Sequence, residues 1–159
     1  MSNKTVFLQT RGLSKRFGGV VALDNVDFDL AEDELRCLIG PNGAGKSTFF
    51  ICLTHQHKPS AGHIVFCDED ITRLQTHQIA HLGVGIKTQV PSVFDGISVR
   101  ENVWLASRRH HNRRTANRVT EEVIERVGLG DVRGATVGRL AHGERQWVEI
   151  AMVLTSNPM

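Results

Sequence analysis

The chain has 159 residues and a formal net charge of +2, which is the length of one ordinary domain. Its hydrophobic (40%) and charged (23%) fractions match those of soluble globular proteins, which excludes a disordered tail and a collagen-like chain. Five of the 19 basic residues lie in one acid-free stretch, residues 108–118, and the rest of the chain is net acidic. This distribution excludes a generally basic nucleic-acid binder, whose charge would cover a broad face.

The sequence carries neither a membrane-span candidate nor a signal peptide, and its three cysteines bear on the redox environment of the protein. No stretch approaches the roughly 18 uncharged apolar residues of a membrane span, and no apolar run of signal-peptide length follows the first residues. We therefore expect a cytosolic protein. Cys37, Cys52 and Cys67 sit among apolar residues without a CxxC pair, so they predict buried free thiols and no zinc site.

The first half of the chain has the order of strands and helices that is typical of α/β folds. Antiparallel strands are predicted over 5–11 and 20–30 with a turn at 17–19, and further strands are predicted over 34–39 and 63–67. Helices are predicted over 46–53 and 76–82, the first directly after a glycine-rich loop.

The second half is predicted to be helical. Residues 99–107 and 115–127 read as an inserted pair of helices with Ser98 and Thr115 as N-caps. A third helix is predicted over 143–154 and ends before Asn157-Pro158. Its expected apolar face consists of Trp147, Ile150, Ala151 and Leu154.

The glycine-rich loop fits the phosphate-binding pattern G-x-x-x-x-G-K-[ST] and lies between a predicted strand and helix. In such a loop backbone N–H groups turn inward around phosphate oxygens, in conformations that Gly43 and Gly45 supply. Lys46 is expected to reach the β- and γ-phosphates, Ser47 to ligate Mg²⁺, and Thr48 to lie at the α-phosphate. The predicted phosphate-site residues are Gly40, Pro41, Asn42, Gly43, Ala44, Gly45, Lys46, Ser47 and Thr48.

This loop stands inside a longer pattern that resembles the ATP-binding subunits of ABC transporters and covers essentially the whole chain. Residues 13–23 resemble the segment whose aromatic residue stacks on adenine, with Phe17 where tyrosine is common. A core phenylalanine is the alternative for that position. Gln89 matches the Q-loop glutamine, which reaches towards Mg²⁺ and the attacking water. The resemblance implies ATP and Mg²⁺ as cofactors, with Ser47 and Gln89 at the metal and Lys46 and Gln89 in catalysis.

A second motif occupies the place of the family's LSGGQ signature, which contacts the γ-phosphate bound to the opposite subunit. It consists of Leu140, Ala141, His142, Gly143 and Glu144. Ala141 stands where serine is usual, and His142 stands where the first glycine is usual. The missing hydroxyl removes a hydrogen bond to a charged group, worth about 1.5–3 kcal/mol, so we expect weakened ATP-driven closure.

The resemblance implies an α/β P-loop NTPase (RecA-like) core with an N-terminal antiparallel β subdomain and an inserted α-helical subdomain. The expected divisions are the β section and P-loop core (1–88), the Q-loop and helical subdomain (89–142), and the signature helix (143–159). In the family, an apolar strand ending in Asp-Glu follows an Asn-Pro pair, and a switch histidine comes later. The sequence ends at Met159 before them, so we expect this truncated chain alone to hydrolyse ATP very slowly or not at all.

Residues 89–94, 99–103 and 142–150 look most like the branched-chain amino acid and urea uptake subgroup, closest to its urea type. The resemblance implies a homo- or heterodimer with a second ATP-binding subunit, and transmembrane permease subunits that dock near residues 90–98. It also implies an indirect partner, a periplasmic or extracellular substrate-binding protein, and no nucleic acid. The expected location is the cytoplasmic face of the cell membrane, as a peripheral protein.

Three alternatives remain open on the sequence. An ABC ATPase could act on nucleic acid or ribosomes through residues 108–118, a phosphotransferase could use the same loop, and the chain could bind nucleotide without turnover. A solvated connection is the favoured interpretation of 108–118 over contact with phosphate or anionic lipid. His77 and His81 have the spacing of a zinc pair, but Gln78 stands where a zinc hydrolase carries its glutamate base.

Overall fold

The computed structural model describes residues 6–87 and 92–157, so the predictions for Gln89 and for Pro158 lie outside the described residues. The fold is α/β, with an antiparallel sheet followed by helices. The chain divides into two compact units, residues 1–82 and 83–159. Among the described residues, no helix combines the length and apolar character that crossing a membrane requires.

An antiparallel sheet forms most of the first unit, in the order β2-β1-β3-β4. Its strands are β1 (Val6–Phe17), β2 (Val20–Ala31), β3 (Ala61–Phe66) and the two-residue β4 (Glu69–Asp70). The predicted strands over 5–11, 20–30 and 63–67 are confirmed, and β1 is longer than predicted. Gly18 and Gly19 form the turn between β1 and β2, so the connected end of this hairpin is fixed by local sequence.

Two helices accompany the sheet, α1 (Lys46–Leu53) and α2 (Thr76–His81). Phe49 and Cys52 of α1 are buried, and the Phe49 ring meets that of Phe28 on β2 edge to face at 5.2 Å. Burial of a phenylalanine side chain such as Phe49 contributes about 1.5–3 kcal/mol of hydrophobic stabilisation. The other large buried side chains of this unit are Leu13, Leu23, Leu53, Ile64, Phe66, Ile71 and Ile79.

The strand predicted over 34–39 is wrong for this structure. Leu35 and Ile39 are 94% and 95% exposed, and the segment has no regular secondary structure. A strand needs a neighbour to complete its ladder of hydrogen bonds, and none of the described strands pairs with this segment. Instead the Glu34 carboxylate accepts a hydrogen bond from the Ala31 N–H and forms an ion pair with Arg36.

The prediction that all three cysteines are buried is also wrong. Cys52 is buried on α1, and this burial raises the pKa of its thiol. Cys37 lies in the exposed segment 34–39, and Cys67 is exposed in the turn between β3 and β4 with φ 48°. Apolar neighbours in sequence therefore did not imply a common core, because one segment lacks a partner strand and the other is a turn.

The second unit is helical, with α3 (Val99–Arg108), α4 (Arg113–Arg126) and α5 (His142–Leu154). Two single-turn 3-10 helices, Gly130–Val132 and Val137–Arg139, connect α4 to α5. One apolar cluster joins these elements, made of Val99, Val103, Val123, Ile124, Leu129, Val137, Val148 and Ala151.

Two of the predicted helix details need correction. The N-cap of α4 is Asn112 and not Thr115, because the Asn112 side chain accepts a hydrogen bond from the Thr115 N–H at 2.9 Å. The predicted apolar face of α5 is only partly right: Ala151 is buried and Leu154 packs against the apolar cluster, whereas Trp147 is 51% exposed and Val148 is buried in its place. Apolar residues at neighbouring positions of a helix can face the core equally well by spacing, and packing against the apolar cluster selects Val148 over Trp147.

The prediction of Ser98 as the N-cap of α3 is confirmed, as part of a complete capping box. Ser98 Oγ accepts from the Glu101 N–H at 3.2 Å, and the Glu101 carboxylate accepts from Ser98 Oγ at 2.6 Å and from the Ser98 N–H at 2.8 Å. These hydrogen bonds to the charged form lower the pKa of Glu101.

We expect the Glu101 carboxylate to stabilise the fold above its unfolded pKa of about 4.3, and this contribution to be lost as pH falls through the lower folded pKa. Glu101→Gln should therefore lower the unfolding temperature near neutral pH, with the difference from the original chain shrinking in acid. Thermal unfolding followed by circular dichroism at a series of pH values measures this. A difference that stays constant from about pH 7 to about pH 3 contradicts the role of the charge.

Candidate functional site

The phosphate loop is held against the sheet by one close backbone approach. Gly45 is the N-cap of α1 with φ 85°, and a Cβ on it would lie 2.4 Å from the Ala22 carbonyl oxygen of β2. Gly43 has the same φ of 85°, with open space where a Cβ would be. Both glycines are therefore required by backbone conformation, and Gly45 also by contact.

Lys46 folds back over the loop that precedes it. Its Nζ donates to the Gly40 and Pro41 carbonyl oxygens, each at 2.7 Å. A lysine ammonium carries three protons, so these two bonds leave one for an anion bound in the loop. The side chain thereby places a full positive charge at the start of α1.

The N-terminus of α1 keeps its donors available. The first intrahelical bond runs from the Phe49 N–H to the Gly45 carbonyl oxygen at 2.8 Å, so the N–H groups of Lys46, Ser47 and Thr48 have no partner within the helix. Gly45 brings no side-chain cap, and the first turn holds no acidic residue. The partial positive charge and the free donors together favour an anion. The hydroxyl of Ser47 is an oxygen ligand of the kind that Mg²⁺ prefers.

Phe17 lies at the same end of the β1–β2 hairpin as this loop. Phe17 pairs with Val20, and Lys15 pairs with Leu23. Leu23 is next to Ala22, whose carbonyl oxygen Gly45 approaches. Phe17 is 43% exposed, which excludes the alternative of a core phenylalanine. The edge-to-face contact with His57 at 5.5 Å supports the ring from one side, and Lys15 Nζ lies 4.9 Å from its centroid.

The signature segment forms the N-terminus of α5 in the second unit. Ala141 is the N-cap, and its N–H donates to the Glu144 carboxylate at 2.9 Å. This is half of a capping box, since alanine offers no oxygen to the N–H of Glu144. His142 Nε2 lies 2.9 Å from Gln146 Nε2, and Ala141, His142 and Gly143 are exposed. The helix end is thus open to solvent, with Leu140 half-buried behind it.

The structure brings together the phosphate loop and Phe17, which belong to one unit, and it places the signature residues on a second unit. Gln89 lies outside the described residues. His77 and His81 are both exposed on the six-residue α2. Within residues 6–87 and 92–157, no three His, Cys, Asp or Glu side chains are grouped so that they could hold a metal ion.

Two charged contacts on α5 escaped the sequence analysis. Glu149 is buried and its carboxylate lies 3.3 Å from Lys87 Nζ, and Arg145 forms an ion pair with Asp95. The signal for Glu149 was present in the sequence: an acidic residue at position 149 stands between Val148 and Ile150 on a helix with an apolar face. A buried carboxylate requires a compensating partner, and the partner could not be identified without the fold.

Comparison with known proteins gives three findings. Residues 23–159 match the family model described as ABC transporter. The high-affinity branched-chain amino acid transport ATP-binding protein LivG of Escherichia coli is 34% identical over 169 aligned positions, which cover 95% of this chain and 66% of LivG. The ribose import ATP-binding protein RbsA 1 of Rubrobacter xylanophilus is 35% identical over 92% of this chain and 30% of that protein.

Among solved structures, the ADP conformation of an ATP-binding cassette of an ABC transporter matches with a TM-score of 0.85 and 26% identity, over 97% of this chain and 66% of that one. The chain therefore spans just under two thirds of the length of LivG and of this cassette.

Gly43 and Gly45 differ in the space available for a Cβ atom, and one substitution at each position measures this difference. Gly43→Ala should cost about 1–2 kcal/mol, because it adds only the strain of a left-handed residue. Gly45→Ala should cost about 2–5 kcal/mol, because its Cβ also collides with the Ala22 carbonyl oxygen. Denaturant unfolding of both variants tests this order, and equal losses would show that the close approach does not constrain the loop.

Supplying the missing oxygen at the start of α5 should stabilise the second unit. Ala141→Ser completes the capping box with Glu144, and an N-cap serine in place of alanine is worth about 0.5–2 kcal/mol. The matched control is Ala141→Ser together with Glu144→Ala, which removes the reciprocal carboxylate. Unfolding by denaturant measures both, and an unchanged midpoint for Ala141→Ser would contradict the half-capped start of α5.

Proposed function

The chain belongs to the ABC transporter family, and we propose that it is the ATP-binding subunit of an importer, which binds MgATP and hydrolyses it at a dimer interface. The observation that carries the nucleotide part of this proposal is the open start of α1, where Lys46 and three free N–H groups surround one place for an anion. Triphosphate binding requires this combination of a cation and inward-pointing backbone donors.

Within that site each residue has a distinct proposed role. Lys46 neutralises β- and γ-phosphate oxygens, Ser47 ligates Mg²⁺, and the exposed ring of Phe17 stacks on the adenine. Bound Mg²⁺ supplies charge neutralisation at the phosphates. Gln89 is proposed to orient the attacking water and to contact the metal.

A second subunit completes the site in this proposal. The exposed N-terminus of α5, from Leu140 to Glu144, faces the γ-phosphate bound by the partner copy, where its helix dipole favours the anion. ATP binding then closes the dimer, and hydrolysis reopens it. The proposed partners are therefore a second ATP-binding subunit and the permease subunits that it drives, at the cytoplasmic face of the membrane.

A branched-chain amino acid, an amide or urea is the proposed cargo. LivG is described as a branched-chain amino acid transport protein, and the chain aligns with two thirds of its length. RbsA 1, described as a ribose import protein, is equally identical but aligns over only 30% of its length. This difference in coverage supports the amino acid subgroup over the sugar importers, and the likeness of residues 89–94 and 99–103 to the urea type extends the proposal to urea.

Removal of the lysine charge tests the nucleotide site. Lys46→Ala should abolish measurable ATP binding, since it removes the only side-chain cation that the described loop carries, while the fold is kept because Lys46 is not part of the core. The readout is titration with a fluorescent ATP analogue, and Lys58→Ala is the control at another lysine of the same unit. Equal binding by Lys46→Ala and the original chain would reject the proposed site.

A further inference from the structure

The place where α3 ends and α4 begins carries four exposed arginines that the proposed nucleotide chemistry does not use. We call them the arginine corner: Arg108 and Arg109 at the end of α3, and Arg113 and Arg114 at the start of α4. The sequence favours a solvated connection for residues 108–118. In the structure, however, only residues 109–112 join the two helices, so most of these basic residues are held on regular helix.

The turn between the two helices is tight, which keeps the arginines of both helix ends together. The His110 and His111 N–H groups both donate to the Ser107 carbonyl oxygen, at 3.1 and 3.0 Å. The Arg108 guanidinium donates to the His111 carbonyl oxygen. Because α3 and α4 also share one apolar cluster, the corner is a single positively charged end of a packed helix pair.

No nearby acid offsets the charge of the corner. The sequence has no Asp or Glu between Glu101 and Glu121. Among residues 6–87 and 92–157, the acids in the second half of α4 form their ion pairs with other arginines: Glu121 with Arg100 and Arg133, Glu122 with Arg118, and Glu125 with Arg133. None of the ion pairs in that part of the chain includes an arginine of the corner, so its positive charge is directed at solvent.

The positions of Arg113 and Arg114 are unfavourable for the stability of α4. They occupy the first turn, which holds no acidic residue, and their charges oppose the partial positive charge of a helix N-terminus. Arg114 also lies one turn before Arg118, a like-charge spacing that destabilises a helix. Since these charges do not serve their own helix, they indicate a partner that carries negative charge.

We propose that the arginine corner is a contact surface for the anionic lipid headgroups of the membrane. This inference rests on the proposed function, which places the chain at the cytoplasmic face, where the leaflet is negatively charged. The corner is an exposed turn, which suits an extended charged surface, whereas a small ligand is bound in a cleft. Leu105 lies one turn before Arg109 and is 42% exposed, so an apolar side chain accompanies the charges, as in interfacial membrane contacts. Residues 105–118 contain no Phe, Trp or Tyr on which the bases of a nucleic acid could stack.

The test is co-sedimentation of the whole chain with vesicles of phosphatidylcholine alone and with vesicles that also contain phosphatidylglycerol. We expect binding to the anionic vesicles only, and a loss of binding at high salt because the charges are then screened. An arginine near an anionic surface contributes about fivefold to the partition coefficient. Arg113→Gln and Arg114→Gln should therefore each lower it about fivefold, and the double variant about 25-fold.

The matched control is Arg126→Gln, which removes the same charge from the last turn of α4. Arg126 lies about 20 Å from Arg113 along the helix, beyond the reach of a screened charge, so vesicle binding should not change. Denaturant unfolding of the same variants separates binding from support of the fold. Arg113→Gln and Arg114→Gln should keep or raise the unfolding midpoint, whereas Arg126→Gln should lower it slightly, because a positive charge is favourable only at the helix C-terminus.

Equal binding to both kinds of vesicle, no binding to either, or unchanged binding by Arg113→Gln/Arg114→Gln would overturn the inference. A lower unfolding midpoint for this double variant would also count against it, since the arginines would then serve the fold. Binding of duplex DNA that the double variant loses, without binding to vesicles, would assign the corner to nucleic acid instead. Failure of the proposed function has a different signature, namely no ATP binding by the original chain, because the vesicle measurement contains no nucleotide.

Discussion

The contact between the Gly45 backbone and the Ala22 carbonyl oxygen is the constraint on which the first unit depends. It lets α1 start directly against β2, at a distance that no residue with a Cβ can reach. From that start, the Phe49 ring of α1 meets Phe28 further along β2. The same hairpin end carries Phe17, so one backbone approach sets the relation between an exposed aromatic ring and the free N–H groups of the helix.

Helices α1, α3 and α5 differ in how completely the backbone N–H groups at their N-termini are capped. The start of α3 is capped by Ser98 and Glu101. Because this capping box satisfies the N–H groups of Ser98 and Glu101, this end of α3 serves the fold. The start of α1 has a glycine and no cap, so its donors are available to an anion. The start of α5 lies between these extremes, because Glu144 covers the Ala141 N–H but alanine returns no hydrogen bond. Capping chemistry thus separates helix ends that hold the fold from ends that can meet a ligand.

Most features set by neighbouring residues were predictable from the sequence, with the N-cap of α4 as an exception, and features set by distant residues were not. The hairpin, the loop pattern and the Ser98 cap depend on a few adjacent residues, and the structure contains all three. The strand predicted over 34–39 was wrong because a strand also needs a partner strand. The apolar face predicted for α5 was only partly right, because packing against the apolar cluster buries Val148 in place of Trp147. The acid at position 149 was visible, but Lys87 as its partner was not, since they are distant in sequence.

Two glutamates on α5 differ in burial, and the buried one, Glu149, is not explained by its contribution to stability alone. Glu144 is at the exposed helix start, where water and the Ala141 N–H solvate its charge at little cost. Glu149, in contrast, is buried, and replacing a buried ion pair by apolar side chains of similar volume is often neutral or stabilising by about 1–4 kcal/mol. Stability alone would therefore be served as well by a leucine or methionine there. What an apolar side chain cannot do is fix Lys87 and the Ser92 N–H at one point, and this geometric role accounts for a carboxylate in the core of the second unit.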